Sequence, residues 1–369
     1  MGEKAHNKKN LSEKKEKGNY IKQGSVDLLA RLAITALNQR RLKLTTFEVP
    51  TFGEITSSLA IEGSTSVMAK GEIASDLGDF KSVLYDIQTI HSLSRKDRDS
   101  EINALSVFTL TDHMNNIALV TSGSFDYGDH AVHIGLNTFD GTKYNPRSIT
   151  ITEADINQLG IQNSSLTIQK QFVSDQALRL LLDELGIDHK NITFKPRRIE
   201  NHFLELKNKI LDDLIRLLKN SNYKIAFVES ATAGFLADSL TDLPGGKNKL
   251  HSGKVLYNSE EKIKAGVHSW SLSRDNLYSK ATALELAQTV IDQEGVNIAI
   301  GVTGLLDAPD TRAGFEDKMP GDVYYSIILP GHSPITEKVS IPLGSRLEMK
   351  TALMLIIFNQ LIAILKEGK

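Results

Sequence analysis

The chain contains no cysteine, which excludes disulfides, thiolate metal sites and cysteine nucleophiles at once. Its ten histidines are scattered without metal-ligand spacing, so no metal is expected. Neither sign of charge is in excess: 43 Lys and Arg against 45 Asp and Glu leave a net charge of −2. Bulk attraction to nucleic acid or to an anionic membrane is therefore not expected. Long apolar runs are also lacking. The strongest, residues 352–365, contains Asn359 and Gln360 and falls short of the ~20 residues that span a bilayer, so it reads as a buried final helix. Residues 1–20 carry six Lys against three Glu and little that is apolar, the composition of a solvated tail. No apolar signal-peptide core follows, because Asp27 and Arg31 interrupt the segment from Val26 to Leu37. A cytoplasmic protein is the expectation.

What is present is a repeat. The stretch from Tyr223 to Lys262 has a degraded copy between Leu42 and Phe80. At an offset of 181 residues (229 against 48), Glu48 falls on Glu229, Thr51 on Thr232, Gly53 on Gly234, and Ser58-Leu59 on Ser239-Leu240. The offset becomes 182 after Pro244, placing Gly71 on Gly253. Downstream, Asn116-Ile117-Ala118 matches Asn297-Ile298-Ala299, and Gly123 matches Gly304. A shared order of this length indicates duplication into paired domains. With 369 residues, 40% of them hydrophobic, the chain can bury two ordinary cores. The expected division is a basic tail at 1–22, a degenerate first copy at 23–195 and an equipped second copy at 196–369, with the seam near 186–198.

Apolar runs and helical periodicity alternate in each copy. In the second, helix is expected from about 199 to 219, strand at 225–228, helix at 235–243, strand at 253–257, helix at 279–294, strands at 297–302 and 322–329, and helix at 346–366. Such alternation predicts helices layered on a mainly parallel or mixed sheet. The copies differ in chemistry. Ser230 corresponds to Val49, Tyr257 to Ser75 and Lys262 to Phe80, so reactive groups are confined to the second copy.

The second half resembles the C-terminal domain of the CinA competence/damage-inducible proteins, a family that includes bacterial nicotinamide mononucleotide deamidases. Glu229-Ser230-Ala231-Thr232-Ala233-Gly234 stands where the family has E-S-x-T-G-G, Thr241-Asp242-Leu243-Pro244-Gly245 where it has T-D-x-P-G, and Tyr257-Asn258-Ser259-Glu260-Glu261-Lys262 where it has Y-S-N-E-x-K. Val302-Thr303-Gly304, Lys318-Met319-Pro320-Gly321 and Gly344-Ser345-Arg346 follow in the family's order. Two departures stand out. Ala233 replaces a glycine, and Asn258-Ser259 reverses the family's Ser-Asn. The resemblance implies two tandem CinA-C-like three-layer α/β/α domains related as a pseudo-dimer. It also implies an amidase that uses Ser230, Tyr257 and Lys262 without metal or other cofactor.

Amide hydrolysis needs a nucleophile, a proton acceptor and donors for the oxyanion. Ser230, at a strand-to-helix turn, supplies the first, and either Lys262 or Tyr257 handles protons. Glu229, Thr232, Gly234, Thr303 and Gly304 are candidate substrate contacts, while Arg312, Lys318 and Arg346 suit a mononucleotide phosphate. The bland alternatives are specific: Ser230 as a helix N-cap, Glu229 as a binder of backbone donors because Glu48 persists, and a noncatalytic nucleotide- or protein-binding member of the fold. The expected partner is a small nucleotide, with an intramolecular pseudo-dimer and room for further homo-oligomerisation.

Overall fold

The computed structural model describes residues 21–367, apart from 50, 62–63, 75–101, 103–104, 107–108, 111–115, 124, 126–130, 162–163, 220, 274–275 and 307–317. In the first half the elements run β1 (Ile21–Lys22), α1 (Ser25–Arg40), β2 (Leu44–Glu48), α2 (Glu54–Leu59), β3 (Met68–Ala74), β4 (Ile117–Gly123), β5 (Val132–Phe139), β6 (Tyr144–Ile151), α3 (Glu153–Gln158) and α4 (Leu166–Glu184). The second half runs β7 (Arg198–Ile199), α5 (Asn201–Lys219), β8 (Ile225–Glu229), α6 (Phe235–Leu240), β9 (Leu250–Leu256), α7 (Ser259–Lys264), α8 (Lys280–Glu294), β10 (Ile298–Gly304), β11 (Asp322–Ile328), β12 (Ile335–Ser340) and α9 (Arg346–Glu367).

Ten strands form one mixed sheet in the order β12-β11-β10-β8-β9-β3-β2-β4-β5-β6. Read outward from its centre, each end has the same sequence of strand types. The element starts keep the offsets read from the sequence, 181 for β2 and β8, α2 and α6, and β4 and β10, and 182 for β3 and β9. Strands β8, β9 and β10 run parallel, as do β2, β3 and β4. Continuous apolar runs suit such strands because both faces are covered, and all of Ile225–Glu229 is buried. Among the described strands of this sheet only the central pair, β3 with β9, joins the two ends, and it is antiparallel. In that pair Glu72 stands opposite Lys254, its own counterpart at offset 182, which is what a two-fold axis through the pair produces.

One face of the sheet carries α5, α6 and α9 over a core that includes Leu211, Leu214, Phe227, Leu236, Leu353 and Phe358. It also carries α1, α2 and α4 over a second core that includes Leu29, Leu37, Leu44, Leu119 and Leu181. The opposite face is covered by α8 with Leu286 and Val290 and by the helical residues Ile102 and Leu105. The α5 helix forms because Ile210, Leu211, Leu214 and Leu218 recur on one buried stripe. By length and composition α9 alone among the described helices is long and apolar enough to cross a membrane. Here Leu353, Met354, Ile357, Phe358 and Leu361 are buried, and the ring of Phe358 lies 6.2 Å from that of Phe227.

Several boundaries differ from the sequence reading. The helix expected to reach residue 243 stops at Leu240. The strand expected at 253–257 begins at Leu250 and ends at Leu256, leaving Tyr257 just past its end. The short α7 and the edge strand β12 were not expected, since six-residue segments carry little periodicity. The tail at 1–20 and most of the loop after Leu306 lie outside the described residues.

Cutting the chain between the halves would expose β9 as an unpaired edge. Isolated residues 196–369 should therefore self-associate through β9 in light scattering, whereas the full chain should not need that contact. A stable, fully active monomer of 196–369 would contradict this.

Candidate active site

The parallel strands β8, β9 and β10 end together, and the residues just beyond them form the site. At the end of β8 the Ser230 amide donates to Val302 O (3.0 Å), which pins the chain to β10 before it turns. The turn that follows is left-handed at two residues, Ala233 (φ 58°) and Gly234 (φ 89°). A left-handed alanine costs roughly 1–2 kcal/mol. Phe52 (φ 50°) and Gly53 (φ 106°) repeat the same turn in the first half, so the alanine occupies a conformation that the fold imposes on both copies. The two turns also touch, because a Cβ on Gly53 would lie 2.6 Å from Gly234 O. Glycine at 53 is a packing requirement as well as a conformational one.

Glu229 is 1% exposed. Its carboxylate accepts the Leu236 and Ala237 amides, both at 3.1 Å, with the Thr232 hydroxyl beside it. Glu48 does the same work, accepting the amides of Gly53, Ile55 and Thr56 at 3.0, 3.0 and 2.7 Å. Burial pushes both carboxyls up, and these donors oppose the shift. Glu229 and Thr232, both expected near substrate, are buried, and the Glu229 carboxylate serves the start of α6. Thr303 is fully buried and donates to Leu277 O (3.0 Å). Gly304 (φ 150°) permits close approach to β11, where a Cβ would meet Asp322 O at 2.6 Å, so its role is structural. Gly234 shapes the Ser230 turn through its backbone.

Ser230 and Lys262 are brought together. Asn258 caps α7 by accepting the Glu261 amide (2.8 Å), so the departure from the family's Ser-Asn order supplies the cap. Four residues past that cap, the Lys262 Nζ lies 3.1 Å from Ser230 Oγ. The Lys262 side chain is 2% exposed, and burial alone brings its amine down to about 8. Among the described residues no carboxylate lies within ion-pair distance of it.

Tyr257 reaches across to the first half, where its hydroxyl donates to Thr56 O (3.4 Å). Burial pushes that hydroxyl above the usual tyrosine range, with Glu229 and Glu48 adding to the effect and Arg346 opposing it. Tyr257 is therefore a standing donor, and of the two proton-handling candidates Lys262 has the titration that fits. Arg346, at the start of α9, points its guanidinium at the Ser230 turn, 3.5 Å from Ala231 O. Lys318 is partly exposed at the foot of the loop leading to Gly321, and Arg312 lies outside the described residues.

Two side chains here were not singled out from the sequence. Lys350, one turn beyond Arg346, is 2% exposed and donates to Ser57 O (2.8 Å) and Ser57 Oγ (3.2 Å). Lys170, from α4, donates to the Asp238 carboxylate (2.5 Å) and pairs with Asp242 (2.7 Å). Both look like ordinary helix-surface lysines in the sequence. The only available signal was their common spacing from the repeat, an offset of 180.

Comparison with known proteins bears on the second half. Residues 207–365 match the family model described as the CinA C-terminal domain. A CinA-like protein of Chloroherpeton thalassium is 40% identical over 90 residues, covering 24% of this chain and 21% of that protein. A protein of Natranaerobius thermophilus named as competence-damage inducible is 29% identical over 168 residues, covering 44% and 39%. The chain thus spans well under half the length of these curated relatives. Among solved structures, a competence or damage-inducible protein from Enterobacter asburiae is similar at 21% identity and a TM-score of 0.40, over 43% of this chain and 98% of that one. The protein CihA from Agrobacterium tumefaciens is similar at 25% identity and a TM-score of 0.38, over 44% and 94%. The sequence match and the motifs gathered at the ends of β8, β9 and β10 agree that residues 207–365 belong to the CinA C-terminal domain family.

Proposed function

We propose that the second half is an amidase that converts nicotinamide mononucleotide to nicotinic acid mononucleotide and ammonia through Ser230. The observation that carries this reading is the buried Lys262 amine 3.1 Å from Ser230 Oγ, brought down to about 8 by burial. A lysine serves as a general base near neutral pH only when its cation is destabilised in this way. The neutral amine takes the Ser230 proton as Oγ attacks the carboxamide carbon. The tetrahedral oxyanion is met by turn amides: those of Ala231, Thr232, Ala233 and Gly234 have no acceptor among the described residues. The lysine then returns the proton to the leaving ammonia. Water hydrolyses the ester on Ser230 by the same relay, giving the carboxylic acid and free serine. Arg346 suits the phosphate, and the Tyr257 hydroxyl, donating to Thr56 O, ties the site to the first half.

The first half fits the role of a decayed copy that replaces a symmetric partner. It supplies Thr56 O to Tyr257 and Ser57 to Lys350, while Val49 leaves its own turn without a nucleophile. A cytoplasmic location, near the nucleotide pool, belongs to this reading.

Ser230→Ala should reduce ammonia release from nicotinamide mononucleotide by about a thousandfold or more while leaving its Kd within a few-fold, because the oxygen acts mainly in the transition state. A variant that keeps most of its kcat overturns the assignment.

Lys262→Met should be equally inactive, and Lys262→Arg should not rescue it, since guanidinium is no base at neutral pH. Turnover of the parent protein should rise with pH through about 8, as the amine becomes neutral. The sign for stability follows from the same shift. The folded pKa lies below the unfolded value of 10.5, so charge burial opposes folding fully below about 8 and ceases to do so above 10.5. Lys262→Met should therefore raise stability to urea near pH 7 by about 2 kcal/mol. A less stable Lys262→Met protein, or a rate that falls through this pH range, would contradict the base assignment.

A further inference from the structure

The two halves exchange a buried lysine, but only one of the two is neutralised. Lys170 extends from α4 of the first half to α6 of the second. There it meets Asp238 and Asp242, the latter also held by Lys207 at 2.6 Å. Lys350 makes the equivalent crossing from α9 of the second half to α2 of the first. The residue it meets is Ser57, which occupies the position of Asp238 at offset 181, and Ile61 occupies that of Asp242. No carboxylate lies within ion-pair distance of Lys350 among the described residues.

The charged groups around it are committed elsewhere. Glu54 on α2 pairs with Arg197, which also binds Asp27 at 2.7 Å. Glu229 at the end of β8 accepts the α6 amides. Arg346, one turn back on α9, and Arg197 both repel a cation at Lys350, while Glu229 and Glu54 attract it from beyond contact distance. Burial and these two arginines hold the Lys350 amine well below the usual lysine range. An uncompensated buried amine is costly unless something arrives to neutralise it. The neighbouring Arg346 guanidinium faces the Ser230 turn, where an anionic ligand would dock.

We propose that Lys350 is a positioning residue for the anionic group of the substrate, taking up a proton as a phosphate monoester docks at Arg346 and releasing it when the product leaves. This rests on the amidase reading above and specifies how its substrate is held. The phosphate supplies the negative charge that Asp238 and Asp242 supply to Lys170. A proton moves from buffer to Lys350 Nζ, and no other bond changes.

The test is calorimetric titration of nicotinamide mononucleotide into full-length Ser230→Ala protein, in two buffers of different ionisation enthalpy, across about pH 6 to 9. Binding should be accompanied by net uptake of up to about one proton. Nicotinamide riboside, which lacks the phosphate, should bind without it. Lys350→Met should abolish the uptake and weaken mononucleotide binding about tenfold. Lys350→Arg, permanently charged, should bind without uptake. Ser57→Asp provides the carboxylate found at the Lys170 end and should also abolish uptake, so it carries the test should Lys350→Met fail to fold. Uptake that persists in Ser57→Asp, equal uptake with the riboside, or mononucleotide binding without uptake would each overturn the proposal. Binding without uptake, with the parent protein still hydrolysing the mononucleotide, would leave the amidase reading standing, whereas failure to bind it at all would overturn both.

Discussion

Five residues of β3, Lys70 to Ala74, pair antiparallel with Leu256 to Ser252 of β9 and make one sheet out of two. That pairing sets α2 beside α6, brings the left-handed turns at Gly53 and Gly234 into contact, and lets Tyr257 and Lys350 end on atoms of the first half. Side chains on both central strands must then be small where the short helices cross. A Cβ at Gly71 would meet Thr56 Cγ2 at 2.8 Å, and one at Gly253 would meet Ala237 Cβ at 3.3 Å. The sheet and the site therefore share a constraint: what holds the halves together also shapes the space behind Ser230.

Symmetry in the backbone and asymmetry in the chemistry coexist because they draw on different atoms. Glu48 and Glu229 bind main-chain amides, a task that any helix start following these strands presents, so both halves have it. Lysine and serine at 262 and 230 act on each other through side chains, and the fold does not require them. Buried charge divides in the same way. Lys170 is satisfied by two carboxylates and reads as a clamp between the halves, whereas Lys262 and Lys350 are held without such partners where chemistry is proposed. Strained or unneutralised groups of this kind cost stability and persist where function uses them.

Much of this was legible in the sequence, for physical reasons that differ by residue. The repeat offsets anticipated the element starts because glycine turns and buried strands tolerate few alternatives, as Gly53 and Gly234 illustrate. The Ser230–Lys262 encounter was legible through the family resemblance alone, because the six-residue helix that returns the lysine to the end of β8 carries too little periodicity to be read from spacing. The backbone-binding role of Glu229 was legible because Glu48 persists in the first half and binds the same amides, whereas a polar residue such as Thr303 looks the same in sequence whether it faces ligand or backbone. Lys350 was illegible: it differs from a solvated helix lysine only through the pairing of β3 with β9, a contact between residues about 180 positions apart that no local pattern encodes.

The most direct test of the central claim is the structure of full-length Ser230→Ala protein with nicotinamide mononucleotide bound. The carboxamide carbon should lie about 3 to 3.5 Å from the position of the serine oxygen, its oxygen turned to the amides of Ala231 to Gly234, and the phosphate against Arg346. A nucleotide seated away from the Ser230 turn, or with its carboxamide turned from Lys262, would contradict it.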